Sequence, residues 1–304
     1  MSAKSNCARS WIVNINLQVG TTHIIKVVPT CKLIFTIHDL AQFDLALINK
    51  SNKYEKYYLS GFKGFIRYSL KFIARLTRYW HHKMYKILKK NIDSAYKIIA
   101  VSNSTKEDII KRFKCDPSKI NVCYSPIKFS EKGVSKFDYS NYFLFVSASR
   151  YTKNAVNAIK AFDKYIDVTK SNAKFIITGN LPKKVLKISK NKDLIINMPY
   201  LESADLEYLY EHANALIFTS FYEGFGMPPL EAMKYGTKVI CSNIPCLKEI
   251  YKHALFANPY KVLSIAYAMV TLDTISKEDM LADYSEIKKK CEEGLSLHKD
   301  IIYN

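Results

Sequence analysis

A chain of 304 residues, 48% of them hydrophobic, is long enough for about two domains and apolar enough to exclude wholesale disorder. Its 46 basic and 27 acidic residues leave a formal charge of +19, a balance that attracts phosphorylated ligands, anionic lipid or nucleic acid. Seven cysteines at 7, 31, 115, 123, 241, 246 and 291 include no C-x-x-C pair, which excludes a zinc-ribbon spacing and a small secreted disulfide framework.

In the first half, strands are predicted at 11–15, 23–28 and 32–37, the last running into His38-Asp39. A basic, aromatic stretch follows, with no acidic residue from Lys56 to Ile92. In it Lys63, Arg67, Lys71, Arg75 and Arg78 fall on one helical arc and Phe65, Ile66, Leu70, Phe72, Ile73, Leu76, Tyr79 and Trp80 on the other. Such a helix over 61–90 suits an anionic membrane surface, or equally a helix packed on its own domain with a solvated basic face. His81-His82 has no acidic or cysteine partner nearby, so no metal site is read there. A strand at 97–101 leads into a helix capped by Ser102, Asn103 or Ser104, with Glu107 completing a capping box if Ser104 caps. Asp116-Pro117 is read as its end, and 120–124 as another strand. Residues 126–141 carry no period and are read as the interdomain linker.

The second half restarts with a strand at 142–147. It continues with a loop at 149–154, a helix through Tyr165, strands at 174–178 and 194–197, and a helix over 203–213. Alternation of this kind predicts a doubly wound parallel α/β sheet. Arg150 and Lys153 follow its first strand, in the turn where such folds hold phosphate. A solvated basic loop would give the same residues.

The richest segment is Phe218 to Ser242. A buried strand at 215–218 leads into Glu223-Gly224-Phe225-Gly226, then Met227-Pro228-Pro229-Leu230-Glu231 opening a helix, Gly236 ending it, and a strand at 238–242. Two carboxylates eight residues apart at the carboxyl end of a strand suit a polyhydroxylated ligand that carries phosphate. Alone, Glu231 reads better as a residue favoured by the helix dipole, and Gly-Phe-Gly as an ordinary turn; it is their joint order that points to a ligand. Glu223, in a loop, supports little packing, so its loss is expected to cost no more than about 1 kcal/mol.

This segment, with its E-x7-E pair, resembles the signature of glycosyltransferase family 4, and the likeness extends through roughly 97–265. The resemblance implies a GT-B fold of two Rossmann-like domains facing a cleft and retaining transfer from a nucleoside-diphosphate-sugar to a glycan or lipid-linked acceptor. It implies that Glu223 meets the donor sugar, that Glu231 meets the ribose, and that the backbone of Gly224, Phe225, Gly226 and Met227 lies against sugar and diphosphate. Arg150 and Lys153 resemble the family's cation pair on the leaving diphosphate, with Ser147 where glycine often stands. His38 would reach the donor from the other domain, a role weighed against a structural histidine held by Asp39. The chain around Met198 and Tyr200 would flank the nucleobase, with a packing role for Tyr200 equally open. No metal and no cofactor beyond the donor substrate are required, and no nucleic acid is expected as partner.

Only 37 residues precede His38, and Gly20 stands alone among them, so the first domain is expected to be reduced. The expected domains are 1–130, joined by a C-terminal helix at 285–304, and a donor-binding domain at 140–284. No long apolar N-terminal run and no uncharged 18-residue apolar stretch is present, so a cytoplasmic protein, peripheral to the membrane face, is expected. Two other classes stay open at this level: a non-catalytic sugar-nucleotide-binding partner of a complete transferase, and a basic nucleic-acid binder.

Overall fold

In a computed structural model of the chain, the residues described are 11–15, 32–43, 54, 57–58, 79–126 and 135–303. They fall into two compact units. The first holds the described residues up to 43, those from 79 to 126, and those from 290 onward; the second holds residues 54, 57–58 and 135–289. The predicted strand at 23–28 and the basic segment up to Arg78 lie outside the described residues.

The first unit is built on strands β1 (Trp11–Ile15), β2 (Leu33–Ile37), β3 (Lys97–Ala100) and β4 (Ile120–Val122). They pair in that order, all parallel. Every residue of β2 is buried, as a parallel strand covered on both faces requires. Helices α1 (Tyr79–Ser94) and α2 (Asn103–Phe113) contribute Leu88, Ile92, Ile109 and Phe113 to a core with Phe35, Ile37, Ile98 and Ala100.

Of the three candidate caps for α2, Ser102 takes the role, accepting from the Thr105 N–H at 3.1 Å. A box between Ser104 and Glu107 therefore does not form. The helix also stops earlier than predicted. Lys114 turns left-handed at φ 52°, and Asp116 instead caps a following 3-10 turn through the Ser118 N–H.

The second unit holds β5 (Tyr142–Phe145), β6 (Lys174–Thr178), β7 (Ile195–Met198), β8 (Ala215–Phe218), β9 (Lys238–Ser242) and β10 (Leu255–Ala257). The sheet is wholly parallel with order β10-β9-β8-β5-β6-β7, so the winding reverses between β5 and β8. Helices α3 (Ala155–Thr169), α4 (Lys183–Leu186), α5 (Ser203–His212), α6 (Met227–Met233), α7 (Pro245–Ile250), α8 (Val262–Val270) and α9 (Lys277–Tyr303) complete it. Helix α3 runs one turn past Tyr165, where Lys170 closes it with its N–H on the Ile166 carbonyl.

The predicted linker is shorter than its composition suggests. Ser135 Oγ donates to Asp205 Oδ1 at 2.8 Å and the Tyr139 N–H to the Tyr208 hydroxyl at 3.1 Å, so 135–141 is already anchored to the second unit. Helix α9 begins at Lys277, ahead of the predicted 285, because Ser276 and Asp279 exchange hydrogen bonds across its first turn. Its last turns group with the first unit. There Gly294 permits close approach to the chain leaving β4, since a Cβ would sit 2.7 Å from the Tyr124 nitrogen.

Candidate functional site

In open α/β sheets ligands bind beyond the carboxyl ends of the strands where the winding reverses. Here those strands are β5 and β8, and the residues after them are the ones the sequence singled out. After β5 the backbone turns at Ser147 in the left-handed region (φ 58°), the conformation for which glycine would otherwise be preferred. Arg150 follows, exposed, then a 3-10 turn over Tyr151–Lys153 that ends at Asn154, again left-handed (φ 69°).

This turn aims Lys153 inward. Its Nζ donates to Glu223 Oε1 at 2.6 Å and lies 5.1 Å from the centre of the Phe218 ring. The side chains are 10% and 14% exposed, so the pair is largely desolvated and its attraction strong. Asn154, 1% exposed, fixes the turn: its Nδ2 donates to the carbonyls of Thr219 (3.0 Å) and Pro259 (2.7 Å). The adjacent Asn157 amide reaches the same Pro259 carbonyl and the Tyr54 hydroxyl. Neither asparagine nor Tyr54 was read as part of the site. The one available signal was an asparagine directly before a helix, which is common.

After β8, Gly224, Phe225 and Gly226 are buried. Gly226 has φ 89°, and a Cβ there would meet Leu247 Cδ2 at 2.7 Å, while its carbonyl accepts from the Tyr251 hydroxyl. Met227 starts α6, and Pro228 and Pro229 fall in its first turn where no N–H is needed.

Glu231 lies past that first turn, which removes the dipole reading: no acidic residue occupies the first turn of α6. Its carboxylate instead accepts from the Tyr210 hydroxyl at 2.7 Å. Burial pushes the Glu231 carboxyl up from its ordinary value, the Tyr210 hydrogen bond opposes that, and the Glu207 charge adds to the rise.

Tyr200 is 91% exposed, so the packing role is wrong: nothing covers its ring, because it sits in the loop beyond β7. Met198 in the same segment is buried. His38 directly follows β2 in the first unit, half-buried. Burial lowers its pKa, Asp39 works the other way, and His298 on α9 adds to the lowering. The ring is thus neutral near pH 7, a hydrogen-bonding group and not a cation. Asp39 Oδ1 accepts from the Ala41 N–H. His298, with its own pKa lowered by burial and its Nε2 buried without a partner, was not foreseen. Among the described residues no group of three His, Cys, Asp or Glu side chains could hold a metal ion, and the five described cysteines are buried free thiols.

Residues 127–282, just over half of the chain, match the family described as "Glycosyl transferases group 1". The chain belongs to the glycosyl transferases group 1 family. It is 33% identical over 180 residues to the O-antigen chain mannosyltransferase RfbU of Salmonella typhimurium, covering 57% of this chain and 50% of that protein. To the O-antigen chain mannosyltransferase B of Escherichia coli it is 29% identical over 201 residues, 60% of this chain and 53% of that one. The chain thus spans about half the length of these curated relatives. Among solved structures, S. aureus TarM, determined with fondaparinux, alpha-GlcNAc-glycerol and UDP, superposes with a TM-score of 0.63 at 15% identity, over 90% of this chain and 51% of that one. At that identity the likeness speaks for the fold alone, which is α/β of the GT-B type. Lys153, Asn154, Glu223 and Glu231 lie inside the matched segment of this group 1 chain.

Proposed function

We propose that the chain is a retaining glycosyltransferase that moves a mannosyl group from a nucleoside-diphosphate donor to a hydroxyl of a growing glycan or lipid-linked acceptor. The observation that carries this reading is the Lys153–Glu223 pair at the reversal point of the second sheet, with Glu231 eight residues further on. The mannosyltransferase relatives favour mannose as the sugar.

In this reading Arg150 and Lys153 meet the diphosphate. As the glycosidic bond breaks, negative charge grows on the leaving diphosphate, so cations held there lower the barrier and do more than tighten binding. Glu223 would hold the sugar hydroxyls through Oε2, the oxygen not engaged by Lys153, and Glu231 the ribose. The backbone from Gly224 to Met227 lies against the sugar and diphosphate, with the chain at Met198 and Tyr200 beside the base. His38 contributes a neutral imidazole to the same donor. The ion pair also implies an order of events: an arriving diphosphate competes with Glu223 for Lys153, which loosens the carboxylate for the sugar.

For the membrane surface, the segment 61–90 remains the proposed contact. No helix among the described residues is long and apolar enough to cross a bilayer.

The test is a thermal-shift screen with UDP, GDP, ADP and CMP and their sugars, since any ligand of the folded state raises the melting temperature by mass action. Stabilisation by GDP-mannose, lost in Glu231→Ala, is the expected result. Binding of no nucleotide, with salt-sensitive binding of DNA or RNA in its place, would overturn it. Donor binding without hydrolysis or transfer, rescued by a co-encoded protein, would reduce the chain to a donor-binding partner.

A further inference from the structure

Glu231 is a half-buried carboxylate that the proposed reading requires to be ionised. A charge out of water is unfavourable unless something inside the protein replaces the lost hydration. The replacement comes from α5. Tyr210 on that helix is 2% exposed, its backbone carbonyl takes a hydrogen bond from Thr237 Oγ1, and its hydroxyl donates to Glu231 Oε2 at 2.7 Å. Burial and the neighbouring carboxylate hold the phenol well above its ordinary pKa, so it stays a donor over the working pH range.

The same helix places a second carboxylate, Glu207, near Glu231. Its charge is not left bare: the Tyr235 hydroxyl donates to Glu207 Oε2 at 2.8 Å, and Lys234 Nζ lies 3.7 Å from Oε1. Tyr235 and Lys234 both follow α6, so the groups bearing on Glu231 come from α5 (Tyr210 and Glu207) and from the end of α6 (Lys234 and Tyr235). The arrangement gives Glu231 one strong donor and weakens, without abolishing, the repulsion from Glu207. With Oε2 fixed by Tyr210, Oε1 and the remaining Oε2 lone pair face acceptor duty, which suits a vicinal diol.

We propose that Tyr210 is a positioning residue for donor binding, its hydroxyl holding the Glu231 carboxylate in the orientation and ionised form that accept the donor's ribose hydroxyls. The inference rests on the ribose assignment of Glu231 proposed above. Tyr210 does not itself touch the donor. It acts by biasing the side chain of Glu231, so its removal should be felt in ground-state affinity and its pH dependence, and not in the chemical step.

The experiment is calorimetric titration of the full chain with GDP-mannose and with UDP-glucose between pH 4.5 and 8. Their diphosphates are diesters and do not titrate in that range, so a pH limb reports the protein. Wild type should lose affinity as the pH falls and Glu231 takes up a proton. In Tyr210→Phe the hydrogen bond that favours the ionised form is gone. The acid limb should therefore move to higher pH, and affinity at pH 7 should fall about threefold to tenfold. Glu207→Gln, which removes the like charge, should move the limb the other way. Thermal unfolding of each variant shows whether it is folded, and should Tyr210→Phe fail to fold, the direction of the Glu207→Gln limb decides.

An unmoved limb in a folded Tyr210→Phe would overturn the positioning role. So would a Glu207→Gln limb unmoved or moved upward. If Glu231→Ala binds both donors as wild type does, the ribose assignment itself fails and the role of Tyr210 falls with it. If Glu231→Ala loses binding while Tyr210→Phe keeps the wild-type limb, only the positioning role is lost.

Discussion

Lys153 and Glu223 stand seventy residues apart in the chain and 2.6 Å apart in the fold. Each follows one of the two strands at which the second sheet reverses its winding, and the contact locks the two loops together. The cation proposed for a diphosphate is thereby kept folded inward and neutralised by the carboxylate proposed for the sugar.

This contact changes what loss of Glu223 should do. The loop position alone suggested a cost of no more than about 1 kcal/mol, but removing one partner of a largely buried pair strands the other charge. Glu223→Ala and Lys153→Met are each expected to destabilise by about 2 kcal/mol and to abolish transfer. The double variant Lys153→Met/Glu223→Ala should recover part of the stability and none of the activity. Denaturant titrations of the four proteins, combined as a double-mutant cycle, measure the coupling.

Glu231 gives a prediction of opposite sign. Its folded pKa is raised, so the folded chain binds its proton more tightly than the unfolded one does. That carboxyl therefore costs stability as the pH rises through its unfolded value toward its folded one, and the cost persists at neutral pH. Glu231→Gln removes the half-buried charge and keeps an acceptor for Tyr210. It should raise the melting temperature at pH 7 by about 2 °C or more and weaken donor binding. A lower melting temperature would mean that the carboxylate is needed for folding.

The histidines of the first unit act at the other end of the scale. His38 and His298 both have lowered pKa values, so the unfolded chain takes up these protons first. Stability is full above the ordinary histidine range and declines as the pH falls through about 6.5. Ring titrations followed by NMR should place both below that value. In assays near neutral pH, His38→Gln should keep more activity than His38→Ala, because an amide can replace a neutral imidazole as a hydrogen-bonding group and could not replace a cation.

Gly226→Ala tests the close packing beneath the loop. The backbone there is left-handed, and the new methyl would press on Leu247 and on Phe218 at 3.2 Å. A cost of about 1–3 kcal/mol is expected, together with weaker donor binding, measurable by chemical unfolding and by calorimetry.

Much of the second unit was legible because its signals are local. The apolar run of β8, the glycines after it, the prolines opening α6 and the carboxylates at 223 and 231 all declare themselves within a few residues. Failures occurred where several local solutions compete. Three residues could cap α2 and Ser102 took the role, and the end of that helix was set by Lys114 in a left-handed conformation that lysine propensity does not announce. Tyr200 was open between a ligand and a packing role until its exposure removed packing.

The sequence specifies the α/β class of the second unit, the order of its strands from β5 to β9 and the residues that crowd its reversal point, since turn chemistry and hydrophobic period act at short range. It could not determine which of those residues touch. That Lys153 meets Glu223, that Asn154 ties the turn to the carbonyls of Thr219 and Pro259, and that Tyr210 supplies the proton donor for Glu231 are consequences of strand order and helix packing. These are long-range contacts, and only the assembled sheet brings their partners within a hydrogen bond.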